Sequence, residues 1–252
     1  MKQVGVFTAT RWELNAVRRA LLVEAERRIA GSRCILARSG DCRLWLFQMG
    51  MGVENSSAVC RAAFASQEFD LAVSSGFACA LTPSPIGDLL IGTRVVSHDR
   101  RVRPPDAGGS VTCTTSVMQA ACEAAARAEV PARLGLFVTV PHVVWRAQEK
   151  HEIQAACGAV GLDMESFQVG KAAQERHVPF VVVRAVSDLL EEDLPMDFNQ
   201  FLTPAGWLPG AAACLRHPSS LVGLGRLRAQ CTTAATRMTS FFREFAGDLA
   251  RI

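Results

Sequence analysis

The sequence predicts an α/β fold, a mostly parallel, twisted central sheet flanked by helices. Short apolar segments of strand length alternate with segments of helical periodicity along the chain. Hydrophobic residues make up 49% of the 252 residues and charged residues 20%, which is ample material for a large core. Because no stretch rich in Pro, Ser and Gly divides the chain, we predict one domain over residues 1–252, with residues 194–252 as a helical extension packed on it.

The elements of the first half follow from hydrophobic spacing and turn residues. Apolar residues at helical spacing (Leu14, Val17, Leu21 and Leu22) extend the first predicted helix to residue 26. The predicted elements are a strand over residues 3–9, a helix over 12–26, a hairpin from 34–37 and 43–49, a helix over 54–66 and a buried strand over 69–75.

The second half continues the alternation. Strands are predicted over residues 89–97, 134–140, 158–163 and 180–186, and helices over residues 117–128 and 165–177. The last two strands and the helix between them form a predicted βαβ unit, so we expect both strands to be parallel. Asp163 to Glu165 and Asp188 would then lie beyond the carboxyl ends of their strands, where open α/β sheets bind ligands.

Each acidic candidate has an alternative interpretation. Asp188 follows an apolar strand, where partial burial favours a protonated, donating carboxylic acid, but it is equally suited to cap the next segment. Glu165 and Glu13 each lie in the first turn of a helix, where they could simply favour the helix dipole. Because Asp188, Glu165 and Glu13 are all expected at the same edge of the sheet, a common site is favoured.

Glycine and small residues indicate places where a ligand could approach the backbone. Gly50 and Gly52 precede a helix whose N–H groups could cradle an anion, although a tight turn explains the pair as well. The segment from Ser75 to Ala78 is small enough for close approach, apart from Phe77.

Charge and cysteine usage exclude several classes of function. The net charge of +3 is too small to indicate nucleic-acid binding, and the basic cluster at residues 98–103 is typical of a solvated loop. Nine cysteines without a CxxC pair argue against a metal site and favour small hydrophobic residues in a reducing cytoplasm. We expect no signal peptide, no membrane span and no cofactor.

The segment from Asp163 to Asp188 resembles the signature of a known family. The run Asp163-Met164-Glu165-Ser166, the following helix and strand, and Arg184-Ala185-Val186-Ser187-Asp188 are similar to the signature of the nucleoside phosphorylase and nucleosidase family, which includes 5'-methylthioadenosine/S-adenosylhomocysteine nucleosidases. Residues 4–13, 50–52 and 75–88 also resemble that family, so the likeness covers most of the chain.

The resemblance implies roles for these residues in cleaving a purine N-glycosidic bond. Asp188 would protonate the purine N7, Glu165 would bind the ribose hydroxyls and Glu13 would activate water. The remaining substrate contacts would come from Met164, Ser187, Phe77, Ala78, Val143 and Val144. The resemblance also implies a homodimer that binds a small-molecule purine nucleoside.

Within the family, the hopanoid-associated branch is the most similar, which implies adenosylhopane as substrate. Residues 144–152 and 194–226 carry this likeness. The chain departs from methylthioadenosine nucleosidases at Phe77 to Ala80 and at Val143, which stands where those enzymes place a stacking phenylalanine. Phe77 could supply that ring or belong to the core.

The nucleophile depends on whether the chain binds phosphate. Ser74 and Ser75 precede Gly76 with no arginine beside them, which favours water over inorganic phosphate as co-substrate. Arg11 and Gly52 are the candidate phosphate contacts, and Arg11 is also typical of a solvated helix end.

The remaining alternatives concern the last third of the chain and the activity itself. Residues 202–227 suit helices packed on the sheet, or a basic amphipathic surface that makes peripheral contact with anionic lipid. The alternative functions are a methylthioadenosine/S-adenosylhomocysteine nucleosidase, a phosphate-dependent purine nucleoside phosphorylase and a non-catalytic nucleoside-binding module.

Overall fold

A computed structural model describes residues 1–98, 109–201 and 218–252, without the side chains of residues 200, 201 and 218–221. The strands are β1 (Lys2–Thr8), β2 (Leu22–Ile29), β3 (Ser32–Ser39), β4 (Cys42–Gln48), β5 (Leu71–Ala80), β6 (Leu89–Ser97), β7 (Ser110–Thr112), β8 (Ala132–Thr139), β9 (Gly161–Asp163) and β10 (Phe180–Asp188). The helices are α1 (Arg11–Arg18), α2 (Val53–Ser66), α3 (Thr115–Arg127), α4 (Ala147–Cys157), α5 (Ser166–Glu175) and α6 (Pro218–Asp248), with a 3₁₀ helix at Phe198–Phe201.

The predicted α/β fold is confirmed, with a sheet that is mixed rather than purely parallel. Strands β2, β3, β4, β1 and β5 pair in that order, and β5, β10, β6, β8 and β9 close into a ring because β5 pairs with both β9 and β10. Parallel pairs join β1 to β4 and β5, β5 to β10, and β8 to β6 and β9. The other described pairs, including β6 with β10, are antiparallel.

The expectation of a parallel βαβ unit was wrong. Strands β9 and β10 lie on opposite sides of β5, β9 antiparallel to it and β10 parallel to it. The reason is the length of β5, which continues to Ala80 rather than ending at Ser75 as predicted. The extra residues Cys79 and Ala80 provide the backbone partners of β9, which has only three residues.

The prediction for α1 was also wrong in its length. The helix ends at Arg18, and Leu22 begins the edge strand β2, which pairs with β3. Helical spacing extended through Leu21 and Leu22, but Leu22 is 76% exposed, so it contributes no buried face to a helix. Backbone pairing with the hairpin β3–β4 determines the structure here, while Leu14 and Val17 remain buried on the helix as expected.

Helix α6 packs on the face of the sheet that carries α1 and α3. Phe241, Phe242 and Phe245 are fully buried in one core cluster with Leu14 and Val117. The Thr239 hydroxyl donates to the carbonyl of Ala16 at 2.8 Å and so ties α6 to α1. The division into a domain and a helical extension from residue 194 stays a prediction, and most of the proposed lipid-binding segment, residues 202–217, lies outside the described residues.

Two features bear on the class of protein. Within the part of the chain that the structure describes, no helix has the length and apolar character that crossing a bilayer requires. The described cysteines are free, and most are buried. The basic cluster at residues 98–103 lies almost entirely outside the described ranges.

Candidate active site

A cleft opens where β9 and β10 flank the carboxyl end of β5. Leu162 and Asp188 both pair with Cys79, one from each side. Because β9 is antiparallel to β5, the residues that follow Leu162 lie along β5 rather than beyond its end. Nine residues predicted for the site line this cleft: Glu13, Phe77, Ala78, Val143, Val144, Met164, Glu165, Ser187 and Asp188.

The centre of the cleft is Arg184, a buried arginine that is 1% exposed. Its Nε lies 3.0 Å from Asp163 Oδ2, its Nη2 lies 3.7 Å from Glu165 Oε2, and its Nη1 lies 3.9 Å from Glu13 Oε1. The guanidinium also donates to Ser74, Ser166 and the carbonyl of Phe77 at 3.1 to 3.2 Å. One cation therefore holds three carboxylates from two distant parts of the chain, Glu13 on α1 and the pair Asp163 and Glu165 in one turn.

Glu165 is aimed into the cleft rather than along its helix. It occupies the cap position of α5 but makes no side-chain capping bond. Its Oε1 accepts the Gly52 N–H at 3.0 Å. Burial raises the pKa of Glu165 to about 7, even though the positive charge of Arg184 lowers it. Its protonated form, which burial favours, can donate a hydrogen bond as well as accept one.

Asp163 fixes the turn that carries Glu165. Its Oδ1 accepts the hydroxyl of Thr139 at 2.7 Å and the backbone N–H groups of Glu165 and Ser166 at 3.2 and 3.1 Å. Its second oxygen faces Arg184. The contacts of Asp163 therefore hold the turn in place. Of the two acidic residues of this turn, Glu165 is the one available to a ligand.

Glu13 combines the two interpretations that the sequence left open. It closes a capping box with Thr10, whose backbone N–H donates to Glu13 Oε2 at 2.6 Å. Its other oxygen accepts the Phe77 N–H at 2.7 Å. The same carboxylate therefore stabilises the start of α1 and lines the cleft.

Asp188 lies on the other side of β5 and does not cap a helix. Its Oδ1 accepts the Ser187 hydroxyl and its Oδ2 accepts the Lys150 ammonium, both at 3.1 Å. Lys150 is fully buried. Both oxygens of the Asp188 carboxyl group are therefore held, one by a hydroxyl and one by a buried ammonium.

The rim of the cleft is apolar and aromatic. Phe77 is partly exposed and stacks edge-on against Trp12, with ring centroids 6.4 Å apart. Val143 has both backbone groups bonded to the Asn199 side chain, at 2.7 and 2.8 Å. The backbone N–H of Val143 is therefore not free to donate to a ligand.

Neither of the two predicted phosphate contacts is among the residues that line the cleft. Arg11 is exposed and is not among the residues that line the cleft. Gly52, with φ of +91°, caps α2 and directs its N–H to Glu165. The anion that the helix end binds is thus a side chain of the protein itself.

Sequence reasoning missed several residues of the site. Those lining the cleft without a predicted role are Ala9, Thr10, Met51, Cys79, His142, Leu162, Arg184 and Leu194, while Asp163 was predicted only to lie at the ligand-binding edge. A signal was available for Arg184, because a charge within the apolar run from Phe180 to Val186 is buried and must be paired. No comparable signal marked Lys150, which lies between Glu149 and His151 in a strongly polar stretch of α4.

Comparisons with known proteins agree with this architecture. The family model of the phosphorylase superfamily matches residues 3–206. A 5'-methylthioadenosine/S-adenosylhomocysteine nucleosidase of Staphylococcus aureus is 24% identical over 212 residues, which cover 80% of this chain and 93% of that protein.

Solved structures show the same fold at low identity. A nucleosidase of that name from Neisseria meningitidis, in complex with methylthio-immucillin-A, has a TM-score of 0.77 at 20% identity and covers 98% of this chain and 100% of its own. The futalosine hydrolase of Helicobacter pylori has a TM-score of 0.76 at 17% identity, covering 100% of this chain and 98% of its own.

The raised pKa of Glu165 predicts a specific pH dependence of stability. Between the ordinary value of 4.5 and about 7, the folded protein binds more protons than the unfolded chain, so its free energy of unfolding falls as the pH rises. Glu165→Gln escapes this loss. Its stability relative to wild type should increase between about pH 4 and about pH 8, by at most about 3 kcal/mol. Urea unfolding of wild type and variant at both pH values measures the difference in their free energies of unfolding. Glu54→Gln, at an exposed position, is the control. Equal differences at the two pH values would contradict the prediction.

Gly76 should tolerate no side chain. At its φ of +151°, a Cβ atom would lie 2.3 Å from Glu13 Oε1 and 2.8 Å from Arg184 Nη1. Gly76→Ala should lower the free energy of unfolding by more than about 2 kcal/mol. Gly31→Ala is the matched control, because Gly31 has φ of +83° with no atom nearby and should lose only about 1 kcal/mol. Equal losses would show that the contact with Glu13 and Arg184 is unimportant.

Proposed function

The chain belongs to the phosphorylase superfamily, and from this premise we propose that its cleft cleaves the N-glycosidic bond of a 5'-substituted adenosine with water and releases adenine. The observation that carries the proposal is that Asp188, Glu165 and Glu13 line one cleft, with Asp188 at the end of β10 and Glu165 just after β9, on opposite sides of β5. A purine and its ribose need acidic groups at two such separate positions.

The proposed mechanism assigns one step to each group. Asp188, after taking a proton from solvent, donates it to the purine N7 as the C1'–N9 bond breaks and its electron pair moves to the base. Glu165 accepts hydrogen bonds from the ribose hydroxyls and stabilises the positive charge that develops on the sugar. Glu13 orients a water molecule and takes its proton as the water oxygen bonds to C1'. Met164 packs against the ribose.

Water is the better-supported nucleophile. A bound phosphate needs a cation without a partner, and Arg184, the arginine among the described lining residues, already faces three carboxylates. The N–H of Gly52 is bonded to Glu165. Phosphate would also be repelled by the ionised carboxylates around it.

The apolar rim supports a hydrophobic 5' substituent, with adenosylhopane as the leading substrate. Met51, which lines the cleft, is 42% exposed, and Trp12, which contacts Phe77 of the cleft, is 39% exposed. Exposed apolar residues at the mouth of a cleft favour a ligand that extends out of it. The second candidate is 5'-methylthioadenosine or S-adenosylhomocysteine, because nucleosidases of that name are among the similar proteins.

The deciding experiment measures adenine release from a panel of 5'-substituted adenosines with and without inorganic phosphate. We expect release that is independent of phosphate and that is faster for long apolar substituents. Release that requires phosphate would make the protein a phosphorylase. No release from any member of the panel would leave a nucleoside-binding module, which calorimetry with the same nucleosides would detect.

Asp188→Asn should lower kcat by roughly 10²- to 10⁴-fold with little change in KM, because an amide cannot donate the proton to the leaving base. Asp41→Asn, in an exposed turn, is the matched control and should behave as wild type. Steady-state kinetics on the best substrate of the panel measures the difference. Full activity of Asp188→Asn would refute its role as acid.

A further inference from the structure

Lys150 is an unusual residue for an otherwise solvated helix. Its neighbours on α4 are mostly exposed or partly exposed, yet Lys150 itself is 0% exposed. Transfer of an ammonium group from water into the protein interior costs several kcal/mol unless the group is fully paired. The protein must therefore provide partners for this charge.

The partners account for every donor that the ammonium has. Nζ donates to Asp188 Oδ2 at 3.1 Å and to the carbonyl oxygens of Leu189 and Glu192, each at 2.8 Å. Three N–H bonds meet three acceptors, so none remains for a ligand. Lys150 is also not among the residues that line the cleft, so its link to the cleft is the bond to Asp188.

The loop that follows Asp188 is built around this lysine. Asp193 accepts the N–H of Ala147 at 2.7 Å and so caps α4. The Glu192 side chain bonds to Arg226 and Gln230 of α6, which fixes the carbonyl that Lys150 binds. Helices α4 and α6 thus hold the ammonium at a defined position beside Asp188.

Lys150 is the charged group bonded directly to Asp188. Among the described residues, the thiols of Cys79 on β5 and Cys231 on α6 also interact electrostatically with Asp188, and His142, Glu13, Glu165 and Arg184 line the same cleft. Burial raises the pKa of both thiols, that of Cys231 to about 12, so both are neutral at ordinary pH. Burial lowers the pKa of Lys150, but the attraction of the neighbouring Asp188 carboxylate opposes it and the net direction is upward.

We propose that Lys150 is a positioning residue for the reaction: it fixes the orientation of the Asp188 carboxyl group and sets the pH range in which that group can hold the proton it donates. The inference rests on the proposed function, in which Asp188 is the acid. Its geometric basis is that the buried ammonium of Lys150 donates to one oxygen of Asp188, while the Ser187 hydroxyl donates to the other.

Lys150→Met tests the inference, because it removes the charge and keeps an unbranched side chain. The matched control is Lys171→Met, at an exposed position of α5. Loss of the cation should stabilise the protonated form of Asp188, so the alkaline limb of kcat/KM should move to higher pH by more than about one unit. Loss of orientation should lower the plateau kcat about tenfold or more, with KM little changed. A limb at the same pH as in Lys171→Met would overturn the inference.

A second measurement needs no change at Lys150 and no enzymatic activity. The chain has three lysines, Lys2, Lys150 and Lys171, so side-chain lysine NMR can follow each titration. In Asp188→Asn the titration of Lys150 should fall by more than about one pH unit, while Lys171 stays unchanged. An unmoved Lys150 would overturn the inference even in an active enzyme. Failure of all nucleosides to react would instead overturn the proposed function, and the NMR result would still report on the pair.

Discussion

The buried guanidinium of Arg184 is the interaction on which the site depends. Three carboxylates, from α1, β9 and the turn before α5, would repel one another in a space from which water is excluded. Removal of one partner from such a buried group typically costs about 3–5 kcal/mol, because the remaining charges lose their compensation. The strand that carries Arg184 also ends in Asp188, so one segment positions both halves of the cleft.

Two separate electrostatic systems lie along the cleft. In one, Arg184 faces an excess of acidic groups, and burial raises the pKa of Glu165 to about 7. In the other, Lys150 faces a single carboxylate and two carbonyl oxygens. The base and the sugar of a nucleoside would therefore meet environments that differ in charge and can be varied independently.

The sequence predicted many residues of the cleft, but it did not predict the strand pairings and buried charges that bring them together. Apolar periodicity located β6 and β10 and the residues around Asp188, since buried strands have a clear local pattern. It failed for β9, because the direction of a three-residue strand is decided by its pairing with the end of β5 and not by its own sequence. It failed for Lys150 because nothing in a polar helix shows which position faces a neighbouring loop. Long-range backbone pairing and the partners of buried charges are tertiary properties.

The bond between the Gly52 N–H and Glu165 has a consequence for how this cleft could evolve. In many proteins the N–H groups at the start of a helix are free to bind an anionic ligand, but here the Gly52 N–H already donates to a carboxylate of the protein itself. Introduction of an arginine near the cleft would not by itself recruit a new anionic co-substrate. The turn between Asp163 and Ser166 would also have to release the helix end, and the same turn carries the group proposed to bind the sugar. In this scaffold, a change of nucleophile from water to an anion would therefore also change the contacts proposed to bind the sugar.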